Sequence, residues 1–134
     1  MKYKVQYGDN FIELSDFQKP DNVLSPTEFT VKISSDGFCG AAPFETKNEA
    51  FEKFVSDIKE MYNFKTETAV LCDMYIGSKL DLKMDNVGHI RVSGRLYDLH
   101  KEQCLDFAFE ADQTALCDFV KEKNYGKITS EFRN

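Results

Sequence analysis

Asp98, His100, Glu102 and Cys104 alternate within one short segment. All four are residue types that ligate metals. Their spacing matches no structural zinc pattern, so neither a metal nor another cofactor is expected. The second histidine, His89, stands apart at a strand start. Neither histidine has a nucleophile or a metal partner at a recognisable spacing, and both read as solvated side chains. Cys39, Cys72, Cys104 and Cys117 include no Cys-x-x-Cys pair. They read as small buried hydrophobes with reduced thiols. Asp81 with Asp85, or Glu110 with Asp112, have the makings of an acid–base pair. With 23 acidic residues in the chain such pairs arise by chance, and solvated surface is their ordinary role. No phosphate loop, Gly-x-Ser-x-Gly or His-Glu-x-x-His occurs. The chain therefore reads as a binding protein with no catalytic residues.

Charge narrows the partners. The net charge of -6 repels phosphate backbones and disfavours nucleic acid. The same field draws in basic proteins. A length of 134 residues suits a single domain spanning 1–134, large enough for a core without disulfides or metal. Twelve Phe and no Trp predict a core filled with phenylalanine. Met1-Lys2-Tyr3-Lys4 opens directly into strand-like alternation, and no apolar run reaches membrane-spanning length. The expected location is the cytoplasm, with no membrane partner.

The elements that would position any site follow from periodicity. Tyr3, Val5 and Tyr7 alternate with polar residues as a first strand, and Gly8-Asp9-Asn10 turns into a second over Phe11 to Phe17, its register unresolved by pattern. Gln18 to Pro26 reads as a loop. Phe29, Val31 and Ile33 form one face of a strand that ends in Asp36-Gly37, the signature of a two-residue hairpin. That turn pairs Ser35 with Phe38, Ile33 with Gly40, Val31 with Ala42 and Phe29 with Phe44. Something large should cover Gly40 and Ala42, and Pro43 places its strand at an edge. Thr46 to Phe64 reads as a helix with a stripe from Phe51 to Tyr62. Thr46 or Asn48 would cap it, and Glu45, Glu49 and Glu52 would crowd its positive end. Thr66 to Cys72 reads as a strand covered on both faces. Leu80, Leu82 and Met84 then alternate with polar residues, and a three-residue loop with Gly88 left-handed pairs Met84 with Ile90 and Leu82 with Val92. Leu105, Phe107 and Phe109 continue the inward face. Asp112 caps a last helix carrying Leu116, Phe119 and Val120, stopped at Asn124-Tyr125-Gly126 before a loose tail over 127–134. The expected fold class is α+β: one curved antiparallel meander, or a sheet folded toward a sandwich, with one long helix between strand groups and a C-terminal helix.

In a meander the loops at 73–79 and 98–103 share one end of the sheet. That end carries Asp73, Tyr75, Tyr97, Asp98, His100 and Glu102, together with Met74, Ile76 and Leu99. Apolar loop residues rimmed by acids have the layout of a protein interface, and those six residues are the candidate partner-binding set; the alternative is that Met74, Ile76 and Leu99 fold back to seal the end of the core.

Ser35-Asp36-Gly37-Phe38-Cys39-Gly40, the following helix, Gly88 to Leu96, and Phe109-Glu110-Ala111-Asp112-Gln113-Thr114-Ala115-Leu116 together resemble the WapI-type immunity proteins of wall-associated and contact-dependent toxin systems. The resemblance implies a non-enzymatic cytoplasmic protein that binds the C-terminal domain of a cognate toxin, a basic protein and often a nuclease, in a 1:1 complex and occludes its active site. Interfaces in this family vary with the toxin, so no functional residue is carried over; Asp112-Gln113-Thr114 is carried over as a structural cap only. The alternatives are a small acidic enzyme or ligand-binding domain with a pocket between sheet and helix, and an adaptor that dimerises through the sheet edge near Pro43.

Overall fold

The computed structural model describes residues 1–19, 21–22 and 24–121. The predicted helix stop at 124–126, the tail at 127–134, and Pro20 and Val23 of the loop before Pro26 lie outside the described residues.

Eight strands form two antiparallel four-stranded meanders rather than one curved sheet. The first holds β1 (Tyr3–Tyr7), β2 (Asn10–Ser15), β3 (Thr27–Ser35) and β4 (Phe38–Thr46). The second holds β5 (Thr68–Cys72), β6 (Lys79–Met84), β7 (His89–Tyr97) and β8 (Cys104–Asp112). Each sheet is followed by helix: α1 (Asn48–Tyr62) after β4, and a 3-10 turn (Gln113–Leu116) running into α2 (Cys117–Val120) after β8. The α+β class and the meander connections stand as expected. The two sheets divide at α1, which stands between β4 and β5 in the chain.

The hairpin registers are those the apolar patterns require. Ser35 faces Phe38, Ile33 faces Gly40, and Phe29 faces Phe44. Met84 faces Ile90 and Leu82 faces Val92, with Gly88 at φ 90° closing the turn. Gly37, at φ 88°, closes the other. β2 ends earlier than predicted: Asp16 adopts φ 55° and breaks the strand. Phe17 is thereby turned into the aromatic cluster with Tyr3, Phe29 and Phe51.

One core joins both sheets and α1. Phe51, Phe54, Ile58 and Met61 of α1 are fully buried, as are Tyr3, Leu14, Leu80 and Val92. α2 contributes Phe119, whose ring lies 4.9 Å from Tyr3 and 6.0 Å from Phe54. The large residue expected over Gly40 is Leu105, with Leu96 beside it.

Four local expectations are corrected. The residue at the α1 N-cap is Lys47, and its side chain makes no capping bond. Thr46 belongs to β4, and Asn48 instead accepts from the Thr27 hydroxyl and donates to the Ser25 carbonyl. β5 is covered on one face only: Ala69 and Leu71 are buried, while Val70 lies 41% exposed on this edge strand. Cys39, Cys72 and Cys104 are exposed rather than buried, because strand alternation turns each of them outward. Of the three acids expected at the start of α1, only Glu49 lies in its first turn; Glu45 is in β4.

Candidate functional site

The two sheets meet where the loop between β5 and β6 docks on the edge of β4. An edge strand presents backbone N–H and C=O groups with no ladder partner. At Glu45 both are satisfied from the second sheet. The Glu45 N–H donates to Asp73 Oδ2 at 2.8 Å, and its carbonyl accepts from the Met74 N–H at 2.8 Å.

Asp73 is the organiser of this junction. Besides Glu45, its Oδ1 accepts from the N–H groups of Tyr75 (2.8 Å), Ile76 and Gly77 (3.3 Å). A short carboxylate collecting the amides of its own turn is a common device for fixing such loops. Ser78 closes the loop: its carbonyl accepts from the Asp73 N–H, and its hydroxyl accepts from the Tyr97 N–H at 2.9 Å. Asp73 was expected among the partner-contacting residues. It is buried, and both of its carboxylate oxygens accept backbone N–H groups that hold the loop.

The loop between β7 and β8 is built in a similar way. Asp98 Oδ1 accepts from the Glu102 and Gln103 N–H groups at 2.7 and 2.9 Å. Lys101 adopts φ 58°, and its ammonium sits 4.8 Å above the Tyr97 ring. His100 and Glu102 are exposed at the loop tip. The meander thus brings the 73–79 and 98–103 loops to one end, as expected. Met74, Tyr75 and Leu99 remain exposed there, Tyr75 by 72% and Leu99 by 63%.

Between these loops and the outer face of β3–β4 lies an open groove of about 460 Å³. Tyr75, Ile76 and Leu99 line it from the second sheet, Thr30 and Pro43 from the first, with Glu28, Glu45 and Asp73 as its carboxylates. Glu28 and Glu45 stand directly opposite on the β3–β4 ladder. The Glu45 carboxyl is pushed up to about 7, first by a hydrogen bond with Glu28, then by burial and by the negative charges of Glu28 and Asp73. Two carboxyls facing each other favour the state in which one of them is protonated.

Periodicity alone does not reveal this pair. Glu45 reads as a helix-dipole partner when the helix is started at Thr46, two residues before its observed start at Asn48. The signal was nevertheless present: extending the Phe29–Phe44 register by one residue sets Glu28 against Glu45. The pocket expected between sheet and helix does not correspond to this groove. The space over the sheets beneath α1 is filled by Phe51, Phe54, Val55, Ile58 and Met61.

Several other polar residues pair within the second sheet and its turns. Arg95 and Asp106 form a bidentate pair across β7–β8, which holds the Asp106 carboxyl below the usual carboxylate range. Arg91 pairs with Glu110 beside it, at 3.0 Å. Asp85 accepts from the N–H groups of Val87 and His89 within its turn, and these bonds hold its carboxyl low. Among the described residues, no group of three or more His, Cys, Asp and Glu is arranged to hold a metal ion. No described helix is long and apolar enough to cross a membrane.

No protein-family model matches the chain. No curated protein matches it either. Among solved structures, it is similar to a chain in the crystal structures of Trypanosoma brucei MRP1/MRP2, at 5% identity and a TM-score of 0.49, over 97% of this chain and 86% of that one.

Proposed function

We propose that this protein is a toxin-neutralising immunity protein of the WapI type. It binds the C-terminal domain of a cognate toxin, a basic nuclease, in a 1:1 complex in the cytoplasm and occludes its active site without performing chemistry. The observation that carries this reading is the exposure of Tyr75 and Leu99 beside the Glu28–Glu45 carboxylates at one end of the molecule. Large apolar anchors rimmed by polar groups are what protein interfaces use for affinity. In this reading the exposed His100 and Glu102 and the half-buried Tyr97 and Asp98, which lie outside the groove, supply further polar contacts, and the net charge of -6 favours encounter with a basic partner.

The test is to mix the purified protein with the toxin domain encoded beside it and measure mass by light scattering. A stable 1:1 complex that inhibits the toxin is expected. No complex with that domain refutes the reading.

A second reading, a ligand-binding domain or enzyme, draws on one observation: a carboxyl at about 7 beside a groove is poised for proton transfer at neutral pH. Substrate turnover that Glu45→Gln abolishes would favour it over the immunity role.

A further inference from the structure

The groove has apolar walls and a floor of like charges. Tyr75, Ile76 and Leu99 form one wall. Glu28 and Glu45 face each other on the ladder, an arrangement that opposes strand pairing when both are ionised. Among the described residues, no Lys, Arg or His lines the groove to neutralise them. Asp73 adds negative charge, but both of its oxygens are already occupied by backbone N–H groups. What the site lacks is a cation with an apolar stem.

We propose that the groove is the receptor for an arginine side chain of the protein partner, its guanidinium forked between the Glu28 and Glu45 carboxylates and its stem and planar face against Tyr75, Ile76 and Leu99. The inference rests on the binding-protein reading above and names the chemistry at the centre of that surface. Guanidinium suits the site better than ammonium because its planar fork meets two carboxylates at once and stacks on an aromatic ring. A guanidinium favours the ionised Glu45 carboxylate, so binding tightens as the Glu45 proton is lost. The titratable groups facing Glu45 are Glu28 from β3 and Asp73 and Tyr75 from the β5–β6 loop; the β7–β8 loop contributes the uncharged Leu99, and the segment after β2 the uncharged Gln18.

The probe is N-acetyl-arginine amide, which carries only the guanidinium charge, titrated into the full chain and followed by amide chemical shifts. Its neutral isostere N-acetyl-citrulline amide is the control. Shifts are expected at Glu28, Glu45, Tyr75 and Ile76. With the Glu45 carboxyl at about 7, affinity should rise about tenfold between pH 6 and pH 8. Glu45→Gln mimics the protonated carboxyl at every pH, so it should bind at pH 8 as weakly as the native protein does at pH 6. Glu28→Gln should act alike, which guards against a folding defect in either variant. Shifts scattered over the acidic surface, equal binding of citrulline, or pH-independent affinity would overturn the proposal. The immunity role is tested separately: a 1:1 toxin complex without arginine binding removes only this receptor, and arginine binding without a toxin complex removes only that role.

Discussion

Glu45→Gln should make the protein more stable at pH 8 and leave it unchanged at pH 4. The Glu45 carboxyl titrates at about 7 in the folded state against an ordinary 4.5. A carboxyl raised on folding contributes stability that is complete below pH 4.5 and is lost as the pH rises through 7. In a dry site that displacement would correspond to about 3.4 kcal/mol. Glu45 is half-exposed, and water screens such a carboxylate, which leaves roughly 1 kcal/mol. Gln keeps the shape and the hydrogen bond to Glu28 but never ionises. Urea unfolding read by circular dichroism should therefore give the variant a midpoint about half a molar higher than the native protein at pH 8. At pH 4 the two midpoints should coincide. The reasoning fails if the gap is the same at both pH values, or if the variant is the less stable one at pH 8. Either result would mean that Glu28 and Glu45 do not share a proton.

Four further expectations concern the junction, the packing of two glycines and the exposed face. Asp73→Asn removes a carboxylate that accepts N–H groups from Glu45, Tyr75, Ile76 and Gly77, and turns an amide N–H toward at least one of them. It should cost about 2–4 kcal/mol in urea unfolding and speed amide exchange across 73–78. Gly94→Ala should cost about 3 kcal/mol or more, since the added carbon would stand 2.1 Å from the Lys79 carbonyl oxygen and 3.0 Å from the Phe107 ring. Gly40→Ala meets only the flexible end of Leu105 at 3.0 Å and should cost less than about 1 kcal/mol in the same assay. Tyr75→Ala and Leu99→Ala should leave the unfolding free energy within about 0.5 kcal/mol of native. Each should raise the toxin dissociation constant by roughly tenfold or more in calorimetry, and an unchanged constant for both would remove them from the interface.

Much of the local architecture was legible because hairpins are decided over short distances. Asp36-Gly37 and Gly88 imposed turn geometry, and the apolar alternation on either side then admitted one register each. The Asp112 cap was legible for the same reason: its carboxylate accepts from the Thr114 N–H two residues on. Errors came where one pattern had two physical outcomes. Ala69, Val70 and Leu71 form an apolar run that suits a buried central strand and an edge strand equally. Only the packing of α1 on one face of β5, with the other face open, decided between them. The cysteines carried no signal of exposure, because a thiol fits a pleated outer face as readily as a core.

The candidate site divides the same way. The amino-acid sequence alone determined that the 73–79 and 98–103 loops share an end, because a meander alternates its loops between two ends, and it determined the pairing of Glu28 with Glu45 through a register only one residue from a predicted contact. Tertiary structure alone decided that these two features meet. Asp73 and Met74 reach the edge of β4 across a gap of nearly thirty residues in the chain, and no periodicity encodes such a contact. It arises because burying Phe51, Phe54 and Ile58 fixes one sheet against the other, after which the exposed N–H and C=O of Glu45 require partners and the Asp73 loop is what lies within reach.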